Sequence, residues 1–339
     1  MNELLSKDGW RERFREVETA LNGVVLGQSR AIRLLLISAL CRGHVLLAGD
    51  VGTGKTTLLR AMAHALGGPY ARVEGTVDLL PTDLVYAAHI AEDGRPRIEP
   101  GPVLEQGEDL SVFFFNEINR ARPQVHALLL RLMAERSLTA FRRQWHFPHL
   151  QVFADRNQIE RDETFELPAA ARDRFLMEIA VEAPEDAAHR MALAFEPRFH
   201  DTTALISAVP QGALPYRGLN DLAQTIQSGT HASPALRRYV LALCEQVRDP
   251  SALQVEGADT ARLVRGGTSP RGMQYLVRAA RACAWAEGRD AVLPQDLRMV
   301  FAPVMAHRIF LTPAYEPRRD RLVPALLEAV FARVPVPSA

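Results

Sequence analysis

Residues 44–66 read HVLLAGDVGTGKTTLLRAMAHAL, and the fold class can be predicted from this segment. An apolar run typical of a buried strand, VLLAG, leads into a glycine-rich turn, and the helical pattern TTLLRAMAHAL follows directly. The turn at residues 49–56 matches the pattern G-x-x-x-x-G-K-[ST], whose backbone N–H groups surround phosphates. A preceding strand and a following helix are the context that this pattern requires. The sequence therefore predicts a phosphate-binding loop at the start of an α/β domain.

Each residue type in this turn has a chemical task. Gly52 and Gly54 let backbone amides point at the phosphates. Lys55 reaches the β and γ oxygens, and the Thr56 hydroxyl ligates Mg²⁺. Lysine occurs only at Lys7 and Lys55, and the phosphate loop accounts for the second. The predicted nucleotide-binding residues are Gly49, Asp50, Val51, Gly52, Thr53, Gly54, Lys55, Thr56 and Thr57.

Short apolar runs alternate with helical patterns as far as residue 181. Strands are predicted at residues 45–48, 112–115, 152–154 and 177–181, and helices at residues 58–66 and 125–135, with two more helices within residues 11–42. Such alternation indicates a mostly parallel sheet with helices on both faces. Beyond it, helices bounded by prolines dominate, the prolines being Pro210, Pro234, Pro294 and Pro324. We predict an α/β P-loop NTPase domain of three αβα layers at residues 1–182 and a smaller all-α domain at residues 183–339.

The charge balance argues against nucleic acid as a partner. Lys and Arg together number 40 and are matched by 40 Asp and Glu, which leaves a formal net charge of +0. A chain without excess positive charge or a recognisable DNA-binding module does not attract a phosphate backbone. With 339 residues and 47% hydrophobic content, the chain is long enough for two packed domains.

The apolar segments are too short to span a bilayer, which takes about 20 consecutive apolar residues. The charged N-terminal sequence MNELLSKDGWRERF lacks the apolar core and the cleavage site of a secretory signal. We therefore expect no membrane span and a cytoplasmic location. Cys41, Cys244 and Cys283 are scattered among apolar helical residues without paired spacing, so we expect them to be reduced core residues.

A second polar motif ends the apolar run VFFFNE at residues 112–117. In P-loop ATPases this strand normally ends in Asp-Glu, where the aspartate holds the water shell of Mg²⁺ and the glutamate orients the attacking water. Asn116 can still accept a hydrogen bond from a metal-bound water, but it carries no charge. Glu117 fits the catalytic position, because burial in a core does not explain a carboxylate at a strand end. We expect weaker Mg²⁺ affinity and, with it, slower turnover.

Three further polar residues are candidates for the same site. Asn157 ends the strand pattern at residues 151–157 and could bond to both the γ-phosphate and the attacking water. Arg174 precedes the strand at residues 177–181, where a solvated surface charge is the commoner explanation when the residue is taken alone. Arg271 follows Ser269 and Pro270, which together are typical of a helix start. A cation is unfavourable in a first helical turn, so we infer that Arg271 binds an anion such as a phosphate.

Taken together, these segments resemble the MoxR family of AAA+ ATPases over residues 24–313. The motifs that carry the resemblance, each with the number of its first residue, are VLGQ (25), GDVGTGKTTL (49), DLLPTD (78), EPGP (99), NEINRA (116), NQIE (157), DRFL (173), TSPR (268), GRD (288) and AHRI (306). This set is far more specific than a phosphate loop alone. The resemblance implies an AAA+ domain followed by a helical lid domain, with ATP and Mg²⁺ as cofactors.

The resemblance also implies roles for individual residues. Lys55 and Thr56 would bind nucleotide and metal, and Asn116 would hold Mg²⁺ through water. The implied catalytic residues are Glu117 as the catalytic glutamate, Asn157 as the first sensor, Arg174 as an arginine finger supplied in trans and Arg271 as the second sensor in the lid.

The family further implies a homo-oligomeric ring, usually hexameric, that works with a protein carrying a von Willebrand factor A domain on a client protein or metalloenzyme. We therefore expect a MoxR-type ATPase that couples ATP binding and hydrolysis to chaperone-like remodelling of partner complexes. The sequence departs from the family pattern at Asn116, at Ala169, where the family tends to have Glu, and in a longer segment at residues 248–267.

Three other functions can be compared with that of a MoxR-type ATPase. Asn116 supports a nucleotide-gated scaffold with little or no hydrolysis as the alternative. A DNA-remodelling AAA+ protein is disfavoured by the zero net charge. A small-molecule P-loop kinase is disfavoured because it would have no use for the long helical domain that carries Arg271.

Overall fold

The computed structural model describes residues 6–90, 93–157 and 165–337. Its residues group into two compact units. The first unit comprises Met1–Phe175 and Ile179–Asp221, and the second comprises Leu176–Glu178 and Leu222–Ala339.

Strands and helices alternate along the first unit. The strands are β1 (His44–Ala48), β2 (Tyr70–Glu74), β3 (Tyr86–Ile90), β4 (Pro96–Pro100), β5 (Val112–Asn116), β6 (Ser137–Ala140), β7 (Arg143–His146), β8 (Gln151–Arg156) and β9 (Phe175–Ala180), although the central residues of β9, Leu176–Glu178, group with the second unit. The helices are α1 (Lys7–Val24), α2 (Ser29–Leu40), α3 (Lys55–Leu66), α4 (Pro102–Glu105), α5 (Pro123–Glu135), α6 (Ala169–Arg172), α7 (Ala187–Phe195) and α8 (Thr202–Ser207).

A five-stranded sheet lies at the centre of this unit, in the order β2-β5-β8-β1-β9. β2 pairs with β5, β5 with β8 and β8 with β1, all in parallel. Phe113, Phe114 and Phe115 of β5 are all buried, as expected for a parallel sheet covered on both faces. The structure confirms the predicted α/β fold, and the four predicted strands correspond to β1, β5, β8 and β9. Because parallel strands end at one edge, the residues that follow β1, β5 and β8 meet there.

Strand β2 and the hairpins β3–β4 and β6–β7 lack the sequence pattern on which the strand predictions rest. β2 lies at the edge of the sheet, so its residues alternate between buried and exposed. β3 and β7 are largely exposed and have no continuous apolar run. The omission of β2 matters because this strand carries Glu74, which lies beside Asn116.

Residues 183–221, which the sequence pattern places in the second domain, group with the first unit. The backbone N–H of Gly212 donates to the carbonyl of His64 in α3 at 3.0 Å. Asn220 Oδ1 accepts from Nε of the buried Arg42 at 2.8 Å. The division into compact units thus differs from the predicted boundary at residues 182 and 183, because a helical pattern does not reveal which core the helix packs on.

The second unit is mostly helical, in agreement with the predicted all-α domain. Its elements are α9 (Leu219–Gly229, whose first three residues group with the first unit), α10 (Pro234–Arg248), α11 (Thr260–Leu263), β10 (Val264–Gly266), α12 (Pro270–Ala286), α13 (Pro294–Met305), β11 (Phe310–Leu311) and α14 (Arg319–Arg333). The long segment at residues 248–267 contains the regular elements α11 and β10, and β10 pairs antiparallel with β11.

The prediction that Pro324 bounds a helix is wrong, because this residue lies inside α14. Proline removes one backbone hydrogen bond from a helix. The flanking Val323 and Leu326 are buried, and this packing maintains the helix across the missing bond.

The three cysteines are core residues, as predicted: Cys41, Cys244 and Cys283 are all buried. Burial raises the pKa of the Cys244 thiol to about 12, so this group stays protonated at neutral pH. Within the described ranges, no helix combines the length and the apolar character that crossing a membrane requires.

Candidate nucleotide-binding site

The phosphate loop leaves β1 and enters α3, as the sequence predicts. Gly52 and Gly54 have φ angles of +81° and +89°, a region that side chains with a Cβ rarely adopt. Gly49 packs against the backbone, and a Cβ there would lie 2.0 Å from the carbonyl oxygen of Val181. Glycine is therefore required at these positions to shape the turn.

Lys55 begins α3 and its ammonium group turns back into the loop. Nζ donates to the carbonyl oxygens of Gly49 at 2.8 Å and Asp50 at 2.6 Å, and to Oδ1 of Asn157 at 3.1 Å. Burial lowers the pKa of Lys55 from its usual value, and the carboxylate of Asp155 is the largest of the opposing influences. The lysine thus links the loop to the residue that follows β8.

Asn116 closes β5 beside this loop. The hydroxyl of Thr56 donates to Asn116 Oδ1 at 3.3 Å, and the Asn116 amide donates to Oε1 of Glu74 in β2. The two predicted metal-site residues, Thr56 and Asn116, are therefore in contact. Because Oδ1 faces the hydroxyl, the amide N–H group faces the neighbouring carboxylate.

Glu117 follows β5 in a left-handed conformation, with φ 51° and ψ 49°. Its Oε1 accepts from the Asn157 amide at 3.1 Å, and its Oε2 forms an ion pair with Arg120 at 2.9 Å. Its carbonyl lies close to Gly75, where a Cβ would be 2.2 Å from that oxygen. The predicted catalytic glutamate and the predicted first sensor are thus hydrogen-bonded to each other.

Asp155 is a carboxylate of this site that the sequence interpretation passes over. It lies near the end of β8, is 2% exposed, and accepts a hydrogen bond from the backbone N–H of Glu117 at 2.5 Å. Burial raises its pKa to about 6, although the bond from Glu117 and the charge of Lys55 lower it in part. The signal was present in the sequence, because Asp155 is the one acidic residue in the strand pattern that ends at Asn157.

A pocket of about 280 Å³ brings these groups together. Its lining residues are Val51, Gly52, Thr53, Gly54, Lys55, Thr56, Thr57, Asn116, Glu117, Asp155 and Asn157. The hydroxyl, amide and carboxylate oxygens of this set are the hard ligands that Mg²⁺ prefers, and the loop amides and Lys55 suit phosphate. The residues present therefore fit a magnesium nucleotide.

Two of the predicted residues lie elsewhere in the chain. Arg174 directly precedes β9 and is not among the residues that line this pocket; its Nη1 donates to the carbonyl of Ala170 at 2.8 Å. Arg271 belongs to the second unit, in the first turn of α12, where the Ser269 side chain caps the helix by accepting from Gly272 N at 3.0 Å. The motif that begins at Asn157 continues at residues 158–160, which lie outside the described residues.

The first unit has a parallel sheet with helices packed around it, a phosphate loop, and a glutamate directly after a central strand. Together with a helical second unit, these features define a P-loop ATPase of the AAA type. The family "ATPase family associated with various cellular activities (AAA)" matches residues 44–177, and the family "AAA lid domain" matches residues 257–328. The chain is 81% identical to Protein MoxR of Paracoccus denitrificans over 97% of this chain and 98% of that protein. It belongs to the MoxR family of AAA+ ATPases.

More distant relatives agree with this assignment. Protein MoxR of Methylorubrum extorquens is 60% identical and is matched over 97% of this chain and 96% of its own. Chaperone MoxR1 of Mycobacterium tuberculosis is 32% identical over 90% of this chain and 77% of its own. A solved structure of a candidate ATPase from Cytophaga hutchinsonii, 27% identical, superimposes with a TM-score of 0.82 over 98% of this chain and 97% of its own.

Proposed function

We propose that this protein binds and hydrolyses ATP and uses the cycle for chaperone-like remodelling of partner protein complexes. One observation carries the proposal: three distant segments of the sequence, which contribute Lys55 and Thr56, Asn116 and Glu117, and Asn157, line the same pocket. They are the groups that grip phosphates, hold a metal and orient water in a P-loop ATPase.

The residues of the pocket divide this chemistry among themselves. The loop amides and Lys55 hold the phosphates, and Glu117 orients the attacking water while Asn157 fixes the glutamate through the bond between their side chains. Thr56 and Asn116 would hold Mg²⁺, which neutralises charge on the phosphates when bound. Glu117 must leave Arg120 to act on water, a small cost because the Arg120 side chain is 42% exposed.

Assembly into a homo-oligomeric ring, with a hexamer as the expected form, is the second part of the proposal. Arg174 would act from a neighbouring protomer as an arginine finger, and Arg271 would act as the sensor of the lid. A trans arginine can contribute about a thousandfold in rate, so an isolated protomer should hydrolyse ATP slowly. The activity per protomer should therefore fall across a dilution series that dissociates the ring, and an Arg174→Ala variant should be slow at every concentration. A rate per protomer that stays constant on dissociation would contradict the trans role.

The partner is the third part of the proposal. A 32% identical relative is named a chaperone, and the family resemblance implies a von Willebrand factor A domain protein and a client protein or metalloenzyme. Affinity capture with the Glu117→Gln variant and ATP should retain that partner, since a slowed cycle prolongs the ATP state. The same capture with a Lys55→Ala variant is the matched control and should retain none.

Steady-state phosphate release by wild type, Glu117→Gln and Lys55→Ala tests the hydrolytic function. Wild-type turnover that disappears in both variants supports an ATPase. Equal background rates in all three, with ATP bound by the wild type, support instead the nucleotide-gated scaffold that the neutral Asn116 suggests. Neither function survives if the wild type shows no heat of mixing and no thermal shift with ATP or ADP in magnesium buffer.

A further inference from the structure

The neutral Asn116 lies between two acidic residues on the neighbouring strands. In the sheet order β2-β5-β8, Glu74 of β2 is paired in register with Asn116. On the other side, Phe115 pairs with Ala154, the residue before Asp155. The strand end that lacks a carboxylate is thus flanked by carboxylates on both sides.

The two flanking carboxylates differ in their surroundings. The Glu74 side chain is 51% exposed and already forms an ion pair with Arg72 at 3.0 Å. Asp155 is 2% exposed and lines the pocket together with Lys55 and Thr56, whereas Glu74 does not line it. Asp155 is therefore the carboxylate that points its charge into the candidate site.

A purely structural role accounts for the side chain of Asp155 but not for its charge. Among the residues that the structure describes, Asp155 accepts one hydrogen bond, from the backbone N–H of Glu117. The side-chain oxygen of a neutral asparagine could accept the same bond. Burying a carboxylate is costly unless a cation compensates it. Lys55 compensates it in part, and a divalent cation at the Thr56 hydroxyl would complete the compensation.

We propose that Asp155 supplies the negative charge that Asn116 lacks, so that the acidic function toward the magnesium nucleotide has moved from β5 to the adjacent strand β8. This inference rests on the proposed nucleotide site. It gives the chain a complete set of charges for Mg²⁺ despite the substitution in the strand that normally provides them.

The test is a Mg²⁺ titration of nucleotide binding, followed with a fluorescent ATP analogue on the full chain. Asp155→Asn should require about tenfold more Mg²⁺ for half-maximal binding, because it removes a charge next to the metal site. The double variant Asn116→Asp/Asp155→Asn returns one carboxylate to β5 and should recover the wild-type Mg²⁺ requirement to within about threefold.

Two matched controls make the same carboxylate-to-amide change elsewhere. Glu74→Gln alters the other flank of Asn116 and should shift the Mg²⁺ requirement by less than about fivefold, because that group is exposed and paired with Arg72. Asp8→Asn alters a 92% exposed carboxylate of α1 and should leave the titration unchanged. Circular dichroism of every variant verifies that the fold is retained.

Each outcome has a distinct meaning. A wild type that binds no nucleotide removes the proposed function itself. A wild type that binds with Mg²⁺ dependence, together with an unaltered titration for Asp155→Asn, overturns the role of Asp155 alone. Should the single variant fail to fold, the double variant decides. A folded double variant that needs over about threefold more Mg²⁺ than the wild type also overturns the role of Asp155.

Discussion

The two sides of the candidate site are built in different ways. The phosphate-loop side consists of contiguous residues, two of whose carbonyls accept hydrogen bonds from Lys55, and its shape depends on glycines in the left-handed region. The acidic side consists of Glu117, Asp155 and Asn157, brought from the ends of two strands. The loop side holds the ammonium group of Lys55 mainly through its own carbonyls, with one further bond to Asn157. The acidic side places two carboxylates in a poorly solvated part of the pocket. We infer that the phosphate-loop side provides binding affinity for the nucleotide. The acidic side provides the catalytic groups, at a cost in stability.

The largest expected effect is on chemistry. Glu117→Gln should lower phosphate release by at least about a hundredfold, because the amide cannot take up the proton of the attacking water. The affinity for ATP, measured by calorimetry, should stay within about threefold of wild type, since the loop side is intact. A parallel loss of affinity would show that the two sides do not separate.

The next largest effect is on the affinity for ATP. Lys55→Ala should weaken ATP binding by about a hundredfold, because it removes a buried cation that would contact the phosphates in the proposed site. Lys7→Ala, which changes the other lysine of the chain, is the control and should bind as wild type does. Equal ATP affinities for the two variants would contradict the inference that the phosphate loop binds the nucleotide.

The third effect is on stability and has the opposite sign. The folded-state pKa of Asp155 is about 6 against an ordinary value of 3.8, so its ionisation on raising the pH disfavours the folded state. Asp155→Asn should therefore stabilise the nucleotide-free protein by about 3 kcal/mol at neutral pH. The gain should shrink as the pH falls through 6 toward 4, where the wild-type carboxyl is protonated. Thermal unfolding of both proteins in metal-free buffer across this range measures it, and a gain that does not depend on pH would contradict the electrostatic cause.

The smallest effect concerns Arg120. Its ion pair with Glu117 is partly exposed, so Arg120→Ala should change the free energy of unfolding by less than about 1 kcal/mol. Denaturant unfolding of the variant checks this value. A larger loss would mean that the pair contributes to the fold rather than only holding the glutamate.

The same contrast explains what could be predicted from the sequence. The phosphate loop is contiguous, so its sequence pattern was enough to predict that Lys55 and Thr56 belong to it. The apolar runs of β1, β5, β8 and β9 were enough to predict the fold class. Asp155 and Glu74 acquire their positions only through the strand order, in which β5 lies between β2 and β8. Local pattern does not encode that order, and the half-exposed β2 lacks even the apolar run of a strand.

The position of the domain boundary was difficult to predict for the same reason, because it also depends on tertiary structure. Residues 183–221 have a helical pattern, but the bond between Gly212 and His64 that joins them to α3 depends on tertiary structure. The roles of Arg174 and Arg271 stay predictions for a related reason. A finger acts between protomers and a sensor between domains, so each role is a property of an assembly.

The left-handed backbone at Glu117 restricts which substitutions can serve as probes. Branching at Cβ is strongly disfavoured at positive φ, so threonine, valine or isoleucine at this position would twist the chain where it turns past Gly75. Loss of activity in such a variant would report a displaced main chain instead of a missing carboxylate. Only unbranched replacements, of which glutamine is the closest in shape, isolate the chemistry of this residue.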